Sequence, residues 1–470
     1  MRKIIFLLLI SSTFSVAAQD LTFKKGVVTD SVFINDSIQE SFALYMPKNF
    51  DNAKNWPVIF LFDEEGRGRQ LVRFFQEAAE QEGYILAASN NVHDSLPISK
   101  NILISNRMFN RTFQLFSIHA KRIYTGGISG GGRLASVIPV FVPNIEGVVS
   151  FGGTLGNVEV LSSKNLFHYI GIVSKEDYNY PMMLSDEILL NKLKFPNQLL
   201  LLNNGDKSKE LLQLQKAMQI FTLSAMAKGN IALDEPFVQK IYDESLREIE
   251  ELMASKKLLE AEKLIEETQS VFRVHKRGDD LKEKLKSLKR DKLFRSQSRN
   301  ESNMFFKESL IKEDYNYYLE EDVLTYNFNN LGWWNYQMEE LKKYESSQNE
   351  AERQMGKRLY GFVNALVDDM EHILANEAKV DEDALLFVLM LKTITNPKSY
   401  DAYLKVVSYS SKMEDYGTAL FYAEELLKNG FTDKTALYSL EHTALLRITP
   451  EFNDLVTKYL DDARYEIKEQ

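Results

Sequence analysis

RIYTGGISGGGRLAS, residues 122–136, decides how the first half of this chain is read. Within it, Gly127-Ile128-Ser129-Gly130-Gly131 makes a G-x-S-x-G pattern. An apolar stretch, Ile123 and Tyr124, runs straight into the pattern, and a helical stretch, GRLASVIPVFV, follows it. A serine between a strand and a helix, flanked by glycines, predicts a sharp turn that lifts the hydroxyl above the sheet edge. The glycines leave room for that strained turn. Ser129 is therefore the candidate nucleophile, and the backbone N–H of Gly130 is a candidate oxyanion donor.

Working outward, WPVIFLF (56–62) is a continuous apolar run, as expected of a strand buried on both faces. GYILAAS (83–89), KRIYTGG (121–127), IEGVVSFGG (145–153), FHYIGIVS (167–174) and NQLLLLNNG (197–205) continue the series. Amphipathic segments such as RQLVRFFQEAAEQE (69–82) lie between several of them. Alternation of this kind predicts a mainly parallel sheet flanked by helices. Two stretches before it, LTFKKGVVTDSVFIND and QESFALYMP, read as antiparallel edge strands.

VIFLFDEEGRG, YILAASNN, RIYTGGISGGGRLA and GIVSKEDYNYPMM, in this order, resemble exported bacterial proteins of the α/β-hydrolase fold. The chain is similar there to the esterase, polyhydroxybutyrate-depolymerase and dienelactone-hydrolase group, over about residues 20–228. The resemblance implies carboxylic-ester or amide hydrolase ancestry. It matches Ser129 to the nucleophile and Asp177, in SKEDYNY, to the acid. The segment around Phe62-Asp63 and Arg67-Gly68 stands at the oxyanion loop, with Asp63 or Glu64 giving the second donor N–H.

The triad histidine should follow the last strand, since the chain order in this fold is Ser, Asp, His. The residues there are Gly205-Asp206-Lys207-Ser208. A serine hydroxyl is a poor nucleophile without a base of near-neutral pKa beside it. Asp206 is too weak a base and would repel Asp177, and Lys207 in a polar turn keeps its proton. His93, in a loop after a strand end, is the candidate for a variant base. His119 and His168 belong to the far end of the sheet, and His275, His372 and His442 lie on helical or charged segments. No histidine pair has a metal-ligand spacing on one helix, so neither a metal nor another cofactor is expected.

The texture changes near Gly229, where long helical patterns begin. Residues 237–272 read as two helices broken near Ala254–Lys257, and 399–447 as three. MEDYGTALFYAEELLKNG resembles the second half of a tetratricopeptide repeat, with Ala419 and Ala423 where paired helices approach and Gly430 closing the helix. KKLLEAEKLIEE, with Ala261, is a weaker echo. The charged run 273–298 reads as a solvated helix face or linker, and the paired Trp of LGWWNY (331–336) as interhelix packing or a stacking platform. The division expected is a signal peptide over 1–18, an α/β-hydrolase-like domain over 19–229, a helical hairpin and charged linker over 230–298, and a TPR-like all-α domain over 299–470.

Arg2 and Lys3, the apolar run Ile4 to Ile10, and Val16-Ala17-Ala18 have the layout of a secretory signal cleaved before Gln19. The expected location is the periplasm or the medium, with no transmembrane segment after cleavage. Across 470 residues there is no cysteine, which excludes disulfides and thiolate chemistry. A formal charge of −10 disfavours nucleic acid as a partner. Three readings stand. One is a hydrolase fold that has lost catalysis, keeps a small ester or peptide ligand, and recruits a protein partner through its helical half. The second is an active serine esterase or peptidase using His93. The third is a structural scaffold of the cell envelope.

Overall fold

Eight strands form one sheet in the computed structural model, which describes residues 23–35, 37–162, 165–202, 207–461 and 463. The signal-like segment and Gly205-Asp206 lie outside the described residues. The strands are β1 (Thr29–Asn35), β2 (Ile38–Tyr45), β3 (Trp56–Phe62), β4 (Ile85–Ser89), β5 (Ile118–Ile128), β6 (Gly147–Phe151), β7 (His168–Ser174) and β8 (Asn197–Leu202). Their order is β1-β2-β4-β3-β5-β6-β7-β8. β2 runs antiparallel to β1 and β4, and all other neighbours are parallel. This order, with a serine turn after the central β5, is the α/β-hydrolase fold.

Every residue of β3 is buried because helices cover both faces. Val58, Phe60 and Phe62 point to one side, against Met108 and Phe109 of α2 (Ile98–Leu115) and Ile138 of α3 (Gly130–Phe141). Ile59 and Leu61 point to the other, against Val72 and Phe75 of α1 (Gly68–Glu82) and Phe221 of α5 (Lys207–Ala227). The period of two thus sorts one apolar run into two cores, each large side chain contributing ~1.5–3 kcal/mol. α4 (Tyr180–Lys192) lies between β7 and β8 in sequence.

The rest of the chain is helical: α6 (Glu235–Ala254), α7 (Leu258–Phe272), α8 (Asp280–Arg290), α9 (Lys292–Thr325), α10 (Leu331–Glu345), α11 (Glu350–Ala375), α12 (Glu382–Thr395), α13 (Tyr400–Lys412), α14 (Tyr416–Lys428), α15 (Lys434–Ser439) and α16 (Pro450–Leu460). Asp234, Asp291, Asn349, Asp381, Asp415, Asp433 and Thr449 cap helix starts by accepting a backbone N–H, each worth ~1 kcal/mol. α6–α8 close over Leu223 of α5, whereas α9–α16 share a core of their own. Ala419 and Ala423 are fully buried in that core. Of the paired tryptophans, Trp334 is fully buried and donates its Nε1–H to Asp322 at 2.9 Å. Among the described residues, no helix is long and apolar enough to cross a membrane.

Candidate active site

β5 ends at Ile128, α3 begins at Gly130, and Ser129 makes the turn with φ 48° and ψ −121°. A non-glycine residue rarely adopts this conformation, which costs ~1–3 kcal/mol and persists only where the surroundings enforce it. Here they do: the Ser129 N–H donates to the Phe151 carbonyl, and the Ser129 carbonyl accepts from Arg133 N–H. Gly131 admits the end of β3, since a Cβ on it would fall 2.0 Å from the Phe62 carbonyl oxygen.

Ser129 opens onto a cavity of about 300 Å³. Its floor is Gly130, Gly153 and Thr154, and its walls are Glu64, Arg133, Tyr178 and Asn179. Its roof comes from the helical half, through Phe362, Ala365, Leu366 and Asp369 of α11. A second cavity of about 390 Å³ adjoins it, lined by His93, Asp94 and Asn101. Glu64, Gly130 and Arg133 border both cavities and so stand between Ser129 and His93.

His93 is tied to its own loop. Nδ1 lies 2.7 Å from an Asp94 carboxylate oxygen and 2.9 Å from Ser95 Oγ, and Asn101 holds the His93 backbone on both sides. The remaining five histidines are also described. His119 begins β5 and His168 begins β7, His275 bonds the Leu223 carbonyl, His372 sits on α11, and His442 lies beside α13. Among the described residues, no hydrogen bond joins any histidine to the Ser129 hydroxyl.

The oxyanion loop has a specific arrangement. The Asp63 carboxylate accepts the backbone N–H of Glu65 and Arg67 and the Arg67 guanidinium. Burial opposes its ionisation, but these bonds win and hold its pKa below the usual range. With that loop fixed, the Glu64 side chain reaches over the elbow. A Cβ placed on Gly130 would fall 1.3 Å from Glu64 Oε1, so the carboxylate rests on the Cα of Gly130. Burial raises the Glu64 pKa, as do Asp94, Asp63 and Asp369, against the single opposing charge of Arg133. Asp369 is raised likewise, by burial and by Asp368, with His372 and Arg133 opposing.

Asp177 stands just past β7. One carboxylate oxygen accepts Asn179 N–H at 2.8 Å, and the other sits beside Gly152 at the end of β6. Burial raises its pKa, with the Asn179 N–H and the Lys312 charge opposing. The loop carrying it is gripped by the helical half. Lys175 pairs with Glu301 and Glu260, Glu176 with Lys357, and the Tyr178 carbonyl accepts from Lys312. Arg358 donates to the Lys175 carbonyl at 2.6 Å while paired with Glu308, both side chains being 2% exposed.

The fold thus places Ser129, Gly130 and Glu64 in one cavity, His93 in the next, Asp63 beneath the loop and Asp177 behind Asn179. Arg133, Tyr178, Asn179, Phe362 and Asp369 were not singled out in the sequence. Arg133 carried a readable signal, because it stands one turn after the serine on the elbow helix. Phe362, Ala365, Leu366 and Asp369 also share one face by spacing, but spacing does not say what that face covers.

No protein-family model and no curated protein matches the chain. Solved structures do resemble it. One is a dienelactone hydrolase from Anabaena variabilis, 16% identical, covering 41% of this chain and 95% of that one, with a TM-score of 0.32. Another is Est1E from Butyrivibrio proteoclasticus, 12% identical over 42% of this chain and 100% of that one, TM-score 0.34. A candidate dipeptidyl aminopeptidase IV from Bacteroides ovatus is 15% identical over 42% of this chain, TM-score 0.33. This chain spans only 35% of that protein.

Proposed function

We propose that this chain is an exported protein of hydrolase ancestry that binds a small ligand beside Ser129 without hydrolysing it, and engages a protein partner through its helical half. The observation that carries the reading is the Glu64 carboxylate on Gly130. An ester or amide reacts through an oxyanion held by N–H donors such as that of Gly130, and the carboxylate lies against this same residue. A carboxylate offers only acceptors and a like charge, at a cost of a few kcal/mol at ~4 Å. Among the described residues no histidine is bonded to the Ser129 hydroxyl, which points the same way. With Glu64 and Asp369 facing one arginine, the cavity favours a ligand bearing a cationic or neutral polar group over an anion.

One observation favours a second reading. The strained backbone of Ser129 is kept, and such strain clusters at working sites. An active esterase or peptidase would need His93 to leave Asp94 and Glu64 to leave Gly130.

A fluorophosphonate probe on the purified mature protein, with Ser129→Ala as control, separates the two. The expected result is no serine-dependent labelling of folded protein. Labelling that disappears in Ser129→Ala overturns the binding reading, and loss in His93→Ala then identifies the base. Export is tested by N-terminal sequencing of the secreted or periplasmic form, expected to begin at Gln19.

A further inference from the structure

One face of α9 is left open. Phe306, Leu310, Tyr317 and Leu324 are 68%, 48%, 60% and 78% exposed. At about 100° per residue they fall within an arc of ~40°, forming a straight apolar stripe. The charges on the same face are sorted by sign. Lys292, Arg295 and Arg299 precede the stripe, and Glu313, Glu320 and Glu321 run through its far end, all exposed. Among the described residues, none of these six makes an ion pair. Cations near a helix N-terminus and anions near its C-terminus oppose the helix dipole. Alone, this arrangement is unfavourable at both ends.

We propose that this face pairs with the α9 face of a second copy of the chain, antiparallel about a twofold axis level with Glu308. In that register Phe306 meets Leu310 of the second copy, and Leu310 meets its Phe306. Arg299 lies on the Tyr317 ring and Arg295 faces Glu321, each contact occurring twice, as an isologous pair requires. Antiparallel packing also sets each positive helix end beside the acidic end of its neighbour, which relieves the dipole conflict. Parallel pairing would instead align like charges along the whole seam. From Lys292 to Leu324 the face runs ~48 Å, and a strip ~10 Å wide gives roughly 500 Å² per chain. That lies at the low end for specific association, so the dimer is a weak one, sensitive to salt.

Sedimentation velocity of the mature full-length chain, from about 1 to several hundred micromolar in low salt, tests this. Concentration-dependent dimerisation is expected, weakened about tenfold or more by either Arg295→Glu or Glu321→Arg, since each reversal sets two like charges together. Both positions are exposed, so folding is not at stake, and circular dichroism verifies it. The mixture of the two variants is the sharper test: one carries only acidic and the other only basic residues at 295 and 321. The mixed pair regains dimerisation close to that of the wild type, while each variant alone associates about tenfold or more weakly. A wild-type chain that remains monomeric throughout overturns the proposal. So does a dimer untouched by the reversals, or a mixture that fails to associate.

Discussion

The Arg358 guanidinium donates to the Lys175 carbonyl across 183 residues of sequence. It ties α11 to the loop that carries Asp177, and Glu308 balances its charge in a setting with almost no solvent. Removing the arginine leaves the buried Glu308 with Lys312 alone and the Lys175 carbonyl without this donor, which costs ~3 kcal/mol. Arg358→Met should therefore lower the unfolding free energy by about that amount. Replacing both partners, Arg358→Met with Glu308→Leu, should recover part of the loss, since Lys312 then loses its own partner. Urea denaturation of the two variants measures the difference, and equal instability of single and double variants would count against this account.

The glycines of the elbow differ in what crowds them. A Cβ on Gly131 meets backbone, the Phe62 carbonyl, which cannot step aside. A Cβ on Gly130 meets only the movable end of Glu64. Gly131→Ala should destabilise by ~3 kcal/mol or more, and Gly130→Ala by less than ~1 kcal/mol. Adding Glu64→Ala should abolish the Gly130→Ala effect and leave the Gly131→Ala effect intact.

Glu64, Asp177 and Asp369 all have raised pKa values, with burial as the largest cause. Below the ordinary carboxyl range both folded and unfolded chains hold these protons, and the groups leave stability unchanged. As pH rises, the unfolded chain releases them first. The folded state then binds more protons, so stability falls until the folded pKa values are passed. Glu64→Gln or Asp369→Asn should flatten this decline in the pH range just above the ordinary carboxyl pKa values. Because both residues reach solvent, solvent screening keeps the gain at neutral pH small. Urea midpoints across that range give the answer, and an unchanged slope in both variants would contradict it.

Phe362 of α11 lines the cavity over Ser129, which is itself exposed to solvent. Since the chain has no cysteine, Ser129→Cys places a single thiol in the cavity. Position 129 is exposed, so a small thiol reagent should react readily, while a bulky maleimide that must pass Phe362 should gain up to about tenfold in rate with Phe362→Ala, about 1.4 kcal/mol. Equal rates would mean that α11 does not restrict entry.

Much of this was legible in the sequence. Apolar runs such as WPVIFLF and YILAAS become central strands because burial on both faces leaves a signal no loop imitates. The elbow was legible because a backbone geometry demands its glycines. The absence after β8 of a histidine was legible too, since absence needs no structure. What could not be read is how side chains fall between separate segments. Glu64 was weighed for its backbone N–H, and the fold also lays its carboxylate on Gly130, in a loop that Asp63 and Arg67 hold. The roof over Ser129 was equally hidden, because Phe362 and Asp369 are ordinary members of an amphipathic helix until α11 meets the sheet.

That roof has a consequence in time. The last residue to line the Ser129 cavity is Asp369, far along the chain from the elbow it covers. Chains are made from the N-terminus, and domains tend to fold as they emerge. During synthesis the elbow therefore exists first as an open notch. It becomes a roofed cleft, still open to solvent, only after some 240 further residues have followed Ser129.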